Sequence, residues 1–502
     1  MNTERLQSDT SEYSLKDLGD KDVEDTKETR VLSLDEAFDE IDYGDFHTHV
    51  IILVGLTHAC ESIELGMMAF LQECIREEWD LSYEAEALLS SAAFVGQIIG
   101  MLCTPAADVY GRRPIVMCGW ICVTVFGIAS YFSPDYYTLV ALRTMVGYGI
   151  GISQTTSYDI ACELLPQAYR SRATYIGMVN AVGGVYLLTV MYLMLGPYGW
   201  KSILIMASLP ALCICTIGCF FLPESPRWLL SQGHIEEAEA KVKFIADYNG
   251  YDGLGKFRLS TVGCEEENPE KECGILDLWS PRLLPTTLRL YVVWFLVYFA
   301  NFSVFLTLAM TLREEDSKTC TYDFAGAAYS GVTDFAMVLL GVTLIDDIGR
   351  CISQISFFSL ASIFFLAFTC VRNAGGTKET LVGLMICGKA FLQGGCSALW
   401  IHAPELLPTE VRATGHSTAV VVGRTGAIVA TFWIDSLSVK EPLLGGLGFT
   451  FAILIAGLTA YTLKETTGCS LDDDEKIEEK EKLIENGQDN AETATIDSNA
   501  SF

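Results

Sequence analysis

Basic residues are scarce in this 502-residue chain, where lysine and arginine number 33 against 63 aspartates and glutamates. The formal net charge of −30 excludes a nucleic-acid-binding surface, which needs clustered cations against the phosphate backbone. A P-loop, a zinc-spaced set of cysteines and histidines and a nucleophile elbow are all missing. No enzyme chemistry, metal site or cofactor is therefore expected. Only six histidines occur, and His58, His402 and His416 stand isolated, as packed or interfacial rings do. A cleavable leader is also not expected, because the first 48 residues are polar and acidic.

Apolar residues are what the chain has in quantity. Half of it is hydrophobic, gathered into blocks of about 20 residues, the length that crosses about 30 Å of hydrocarbon as a helix. Twelve such blocks are read, at 49–72, 87–106, 114–132, 136–157, 174–195, 199–222, 287–312, 324–345, 351–371, 380–402, 413–434 and 443–463. The spacing predicts five parts. Residues 1–48 form an acidic tail with a short amphipathic helix, and 49–222 the first six-helix half. A polar central loop with surface helices follows at 223–285, then the second half at 286–464 and an acidic tail at 465–502. The two tails hold 27 of the acids and eight of the bases, a composition that stays solvated. The side bearing both tails, the central loop and the loops after spans 2, 4, 8 and 10 holds 22 of the 33 bases. Both termini are thus expected in the cytosol.

Two landmarks occur twice. Glu163-Leu-Leu-Pro-Gln-Ala-Tyr-Arg170 returns as Glu405-Leu-Leu-Pro-Thr-Glu-Val-Arg412, and Asp108-Val-Tyr-Gly111-Arg112-Arg113 returns as Asp346-Asp347-Ile-Gly349-Arg350. The first follows spans 4 and 10, the second spans 2 and 8. This implies two related halves in parallel. In the second landmark, Gly111 and Gly349 can take positive φ, while Asp108 and Asp346 can cap or pair. Glu163 can reach Arg112 or Arg113, and Glu405 can reach Arg350. A bare interfacial anchor would explain one copy but not two in register.

Ionisable residues inside the spans are costly and face the bundle interior or water. Glu61 and Glu64 lie i,i+3 in span 1, on one helix face. They read either as a proton- or cation-coupling pair or as carboxyls neutralised by structural partners. His58, one turn earlier, can share a proton with Glu61. Arg143 in span 4 either contacts substrate or pairs with a span 1 acid. Lys389 and Arg424, from spans 10 and 11, can converge on an anionic group, and Asp334 lies inside span 8. Acids on one wall and bases on another suit an organic ion better than a neutral sugar.

These turns resemble those of the major facilitator superfamily, and more narrowly its sugar-porter branch. Pro223-Glu224-Ser-Pro-Arg227-Trp228 is similar to that branch's signature after helix 6. Lys464-Glu465-Thr-Thr-Gly-Cys-Ser-Leu471 is similar to its closing motif, with Leu463-Lys464 where proline is expected. The resemblance implies an all-α membrane protein with twelve transmembrane helices. It implies a cytoplasmic gate at Arg112, Arg113, Glu163, Arg172, Glu224, Arg227, Arg350, Glu405, Arg412 and Glu465, whose salt bridges hold the halves together in the outward-open state. Trp400 matches the branch's helix 10 tryptophan. The paired glutamines of its helix 7 are replaced by Tyr298-Phe-Ala-Asn301-Phe-Ser303, which disfavours a hexose carrier. Leu34-Asp-Glu-Ala-Phe-Asp-Glu-Ile-Asp-Tyr-Gly-Asp-Phe46 resembles the lead-in of the synaptic-vesicle-two-related group, near which nicotinate transporters also belong.

The expectation is a monomeric alternating-access carrier of a small organic ion, driven by a proton gradient or facilitative, in a plasma or vesicle membrane. Glu61 and Glu64 would sense protons or cations, and Arg143, Asn301, Lys389, Trp400 and Arg424 would line the cavity. The alternatives are a vesicle protein that binds a ligand or partner without moving solute, and a hexose carrier. Glu479-Lys-Glu-Lys-Leu483-Ile484 fits an acidic dileucine signal for a clathrin adaptor. The run Asp472 to Glu475 reads as solvated charge. Cysteines sit mainly in spans as soft apolar packers. Cys74, Cys320 and Cys370 lie toward the lumenal side, where a Cys320–Cys370 bridge is one pairing the sequence allows.

Overall fold

A computed structural model describes residues 30–166, 169, 175–260, 277–314, 320–407, 411–434 and 440–466. Twelve long helices account for most of it. In the first half they are α2 (Asp45–Trp79), α3 (Tyr83–Leu102), α5 (Arg112–Tyr131), α6 (Tyr136–Leu164), α7 (Tyr175–Tyr198) and α8 (Trp200–Phe221). In the second they are α11 (Leu284–Leu312), α12 (Phe324–Ile348), α13 (Arg350–Asn373), α14 (Lys378–Glu405), α15 (Arg412–Trp433) and α16 (Pro442–Tyr461). Short helices complete the chain: α1 (Leu34–Ile41), α4 (Ala106–Tyr110), α9 (Pro226–Ser231) and α10 (Ile235–Tyr248). Among the described residues, nine of the twelve are long and apolar enough to cross a membrane. The other three are α6, α7 and α15. Arg143, Gln154, Asp159 and Glu163 dilute α6, Arg412, His416 and Arg424 dilute α15, and for α7 the apolar stretch among the described residues is Val182–Tyr198.

The halves repeat one pairing scheme. In the first, α3 packs on α6, α5 on α6, α2 on α7 and α5 on α8; in the second, α12 packs on α14, α13 on α14, α11 on α15 and α13 on α16. Helices of equal rank thus make equal contacts. The seam between halves obeys the same symmetry, with α3 against α15, α7 against α12, and α2 against α11. Small residues bring the helices of one half close. A Cβ on Gly147 of α6 would meet the backbone carbonyl of Ala93 in α3, so glycine is required there.

Both described termini lie at one end of the bundle, here the near end. There α1 starts with a reciprocal cap, in which Glu36 N donates to Ser33 Oγ and Ser33 N donates to Glu36 Oε2 at 2.8 Å. That geometry also holds the Glu36 carboxyl below its usual range, because the backbone and hydroxyl of Ser33 hydrogen-bond to it. The chain on either side joins the central loop. Strand β1 (Arg30–Leu32) runs parallel to β2 (Phe257–Leu259), Asp35 pairs with Arg227, and Phe46 N donates to Asn249 Oδ1 at 2.9 Å.

Candidate functional site

The repeated near-end turns are built alike to the level of single atoms. Gly111 and Gly349 adopt φ of 101° and 100° with ψ of 152° and 155°, a region only glycine occupies readily. Each precedes a long helix whose first amides are bare, and a carboxylate from the end of the same half covers them. Arg112 N and Arg113 N donate to Glu224 Oε1 at 3.0 and 3.2 Å, while Arg350 N and Cys351 N donate to Glu465 at 2.8 and 2.9 Å. A Cβ on Gly111 would lie 2.6 Å from Glu224 Oε2, and one on Gly349 2.9 Å from Glu465 Oε2. Glu224 and Glu465 therefore cap helices, a negative charge on the positive end of the macrodipole. The resemblance implied a place for both in the cytoplasmic gate.

The side chains follow the same pattern. Arg112 pairs with Asp108 and with Glu163 at 3.3 Å, and Arg350 pairs with Glu405 through Nε and Nη2 at 3.1 and 3.3 Å. Arg113 Nη2 donates to the Cys219 carbonyl at 2.6 Å, and Arg412 Nε to that of Pro404 at 3.0 Å. All of these contacts join elements of one half. Arg172, the side chain of Asp346 and the segment with Glu479, Leu483 and Ile484 lie outside the described residues.

At mid-bundle the two span 1 acids part company. Glu64 stays within its half: Arg143 Nη1 donates to Glu64 Oε2 at 2.7 Å and Arg143 Nη2 to Ser130 Oγ at 2.6 Å, all of it buried. Glu61 reaches across the seam instead. It forms an ion pair with Arg424 of α15, and Gln154 of α6 donates to its other oxygen. Gln154 Oε1 accepts from Arg424 Nη2 at 3.1 Å, closing a three-residue ring between halves, and Gln154 Nε2 lies 3.2 Å from His58 Nδ1. Three residues along a helix turn a side chain by about 60°, enough to give the two carboxylates separate partners.

An aromatic wall from the second half flanks this ring. The Arg424 guanidinium lies 4.9 Å from the centre of the Tyr298 ring, and Trp294 stacks on Tyr298 at 5.5 Å. Trp400 meets Trp294 at 5.1 Å, His416 at 5.3 Å and His58 at 6.4 Å. Around it, His58 Nε2, Trp294 Nε1, His416 Nε2 and Arg424 Nε are buried without a hydrogen-bond partner among the described residues. These ring nitrogens and the guanidinium can hydrogen-bond to a polar ligand at the seam.

Lys389 takes a different partner. It pairs with Asp334 of α12, donates to Ser330 Oγ at 3.1 Å, and lies 5.6 Å from the centre of the Phe305 ring. Asn301 Nδ2 donates to Cys396 Sγ at 3.6 Å. Lys389 and Arg424 thus each hold their own carboxylate. Gln154, Tyr298, Trp294 and His416 lie beside the expected site residues, although no site role was read for these four in the sequence. The signal for Gln154 was its place in Ser153 to Tyr158, a polar run inside an apolar span.

At the far end the halves are tied directly. Cys74 of α2 forms a disulfide with Cys320 in the loop between α11 and α12, with Cα atoms 5.9 Å apart. The pairing that the sequence allowed, Cys320 with Cys370, is not the one formed. Cys370 lies exposed and free on α13, which packs on α14 and α16, whereas the Cys320 loop folds over α2. Arg313 bridges Glu73 at 2.6 Å and Glu77 at 2.5 Å, both on α2. Burial lowers the pKa of Arg313, but the hydrogen bond it donates to Glu77 and the charges of both glutamates outweigh it and hold it above its usual value. Burial and the nearby Glu73 push the Tyr322 hydroxyl up.

Comparison with known proteins gives a consistent picture. The family model described as sugar (and other) transporter matches residues 50–480. The synaptic vesicle 2-related protein of Xenopus laevis is 29% identical over 91% of this chain and 85% of its own length. That of Pongo abelii is 28% identical over 93% and 87%. A solved structure of the xylose transporter XylE from E. coli, in a partially occluded inward-open conformation, superposes with a TM-score of 0.65 at 17% identity. It covers 85% of this chain and 99% of the other.

Proposed function

The chain belongs to the sugar (and other) transporter family within the major facilitator superfamily, and on that premise we propose that it carries a small organic ion by alternating access. It is a multi-pass membrane protein with the twelve-helix fold of that superfamily. Residues 49–222 and 286–464 are the two bodies that rock about a central site. The near end faces the cytosol, where the Arg112–Glu163 and Arg350–Glu405 clusters are the facing lips of a gate.

The observation that carries this reading is the buried ring of Glu61, Gln154 and Arg424 between the halves. Taking one member from a buried ion pair costs about 3–5 kcal/mol, because the other charge is left uncompensated. A ring that joins the halves therefore resists their separation until something replaces it. An organic ion can replace one member, and a proton on Glu61 can release the other. Substrate and proton then act on one switch, which makes the carrier a symporter. Trp294, Tyr298, Trp400 and His416 supply the apolar and aromatic contacts for the body of the substrate. Glu64 and Arg143, satisfied within one half, hold α2 against α5 and α6 and take no part in the exchange.

Uptake by purified protein in liposomes, with and without an inward proton gradient, tests the reading. The panel comprises nicotinate, other monocarboxylates, quaternary amines and glucose. Gradient-stimulated uptake of one ion, with the stimulation lost in Glu61→Gln, is the expected result. Glucose uptake abolished by Trp400→Ala would overturn the organic-ion reading.

A further inference from the structure

We propose that the Cys74–Cys320 disulfide is a redox lock on the far end, holding the protein with that end closed until a thiol reductant opens it. This rests on the alternating-access reading above. Cys74 lies 13 residues beyond Glu61 on α2, about 20 Å along the axis at 1.5 Å per residue. With the central ring as pivot, a rotation of about 15° moves the far end by about 5 Å. A disulfide tolerates Cα separations only to about 6.8 Å, and these atoms already stand 5.9 Å apart. The bond itself has too little give for the far end to part.

Slack in the loop could still permit the motion, but the loop is stitched at its base. Asp323 N donates to the Leu312 carbonyl at 2.8 Å and Glu314 N to the Thr321 carbonyl at 3.0 Å, and Arg313 and Tyr322 form an antiparallel bridge. Only two residues run from Cys320 to the bridged Tyr322, and they span at most about 7 Å even when fully extended. The other ties at this end are reversible. Arg313 holds Glu73 and the half-exposed Glu77 only by ion pairs, which part without a chemical step. The hydrogen bond that Tyr322 donates to the Phe70 carbonyl is a single contact. Among these, the disulfide alone needs chemistry to release.

That chemistry is thiol–disulfide exchange. Cys320 is the more exposed partner and Cys74 is buried. A thiolate attacks the Cys320 sulfur, the S–S bond breaks, and Cys74 leaves as a thiolate that takes a proton. A second thiol then resolves the mixed disulfide, so two thiols of a dithiol or of two monothiols are oxidised for one bond reduced. Their disulfide form re-locks the carrier by the reverse path.

The test uses the full chain in lipid nanodiscs, without substrate. Peptide mapping with thiols trapped should find Cys74 joined to Cys320, and finding both free overturns the proposal. Spin labels on non-natural residues, at Glu84 and Glu379 for the far end and at Val109 and Asp347 for the near end, then report distances. With the bond intact the far-end pair should show one short distance. A dithiol, and separately Cys320→Ser or Cys74→Ser, should add a second, longer population. A long far-end population with the bond intact, or none after its removal while the near end still moves, overturns the lock and leaves alternating access standing. If neither end moves in any form, alternating access itself fails and the lock falls with it.

Discussion

Glu61 and Glu64 look interchangeable in the sequence, and their partners make them different. Glu64→Gln leaves Arg143 as a buried charge without its counter-ion, which should destabilise the first half by about 3–5 kcal/mol. Thermal melting of detergent-purified protein checks this, and replacing both members with apolar residues of similar volume should recover most of the loss. Glu61→Gln should instead show itself in the proton dependence of uptake. That both residues are special was legible, since carboxylates in an apolar span are rare. Which arginine each would find was not, because Arg424 is hundreds of positions away along the chain. Gly111 is a second case. At φ 101°, ψ 152° a side chain costs about 1–3 kcal/mol in backbone strain alone. Gly111→Ala should therefore lower the melting temperature, and its effect should shrink in a Glu224→Ala background, where the carboxylate no longer presses on the new Cβ.

Elements were easier to read than contacts. Apolar runs placed all twelve helices, because a membrane span must be long and continuous in the sequence that makes it. Their ends shifted where polar residues continue a helix past the apolar block. In α2 the helix extends to Trp79, carrying Glu73, Arg76, Glu77 and Glu78 beyond the apolar stretch. Those extra turns reach the loop that contains Cys320. Disulfide connectivity depends on how such extensions meet in space, which spacing along the chain does not encode. Helix packing follows a simpler rule. A methyl group at Gly147 meets the carbonyl of Ala93, so Gly147→Ala should force α3 and α6 apart. The expected cost is about 1–3 kcal/mol, the usual penalty for overpacking, read as loss of monodisperse protein on heating.

For the whole molecule, the two written landmarks foretold two matched halves, and the shared pairing scheme gives the match its physical form. The described pairs stabilise each half separately, and the buried ion pair across the middle joins the halves. A double-mutant cycle separates the two roles. Arg350 with Glu405 should couple by no more than about 1 kcal/mol, as partly solvated pairs do. Glu61 with Arg424 should couple more strongly, and the excess should vanish when the far end is held open by a crosslink.

Two of the eight tryptophans, Trp294 and Trp400, meet at the ring where Arg424 and Tyr298 stack. Indole emission responds to nearby charge and to the exclusion of water. An ion entering between Arg424 and that wall would therefore change the intrinsic fluorescence of the protein, and Trp400→Phe would remove much of the signal. The carrier thus comes with its own optical reporter, and candidate substrates can be screened by titration before any flux has been measured.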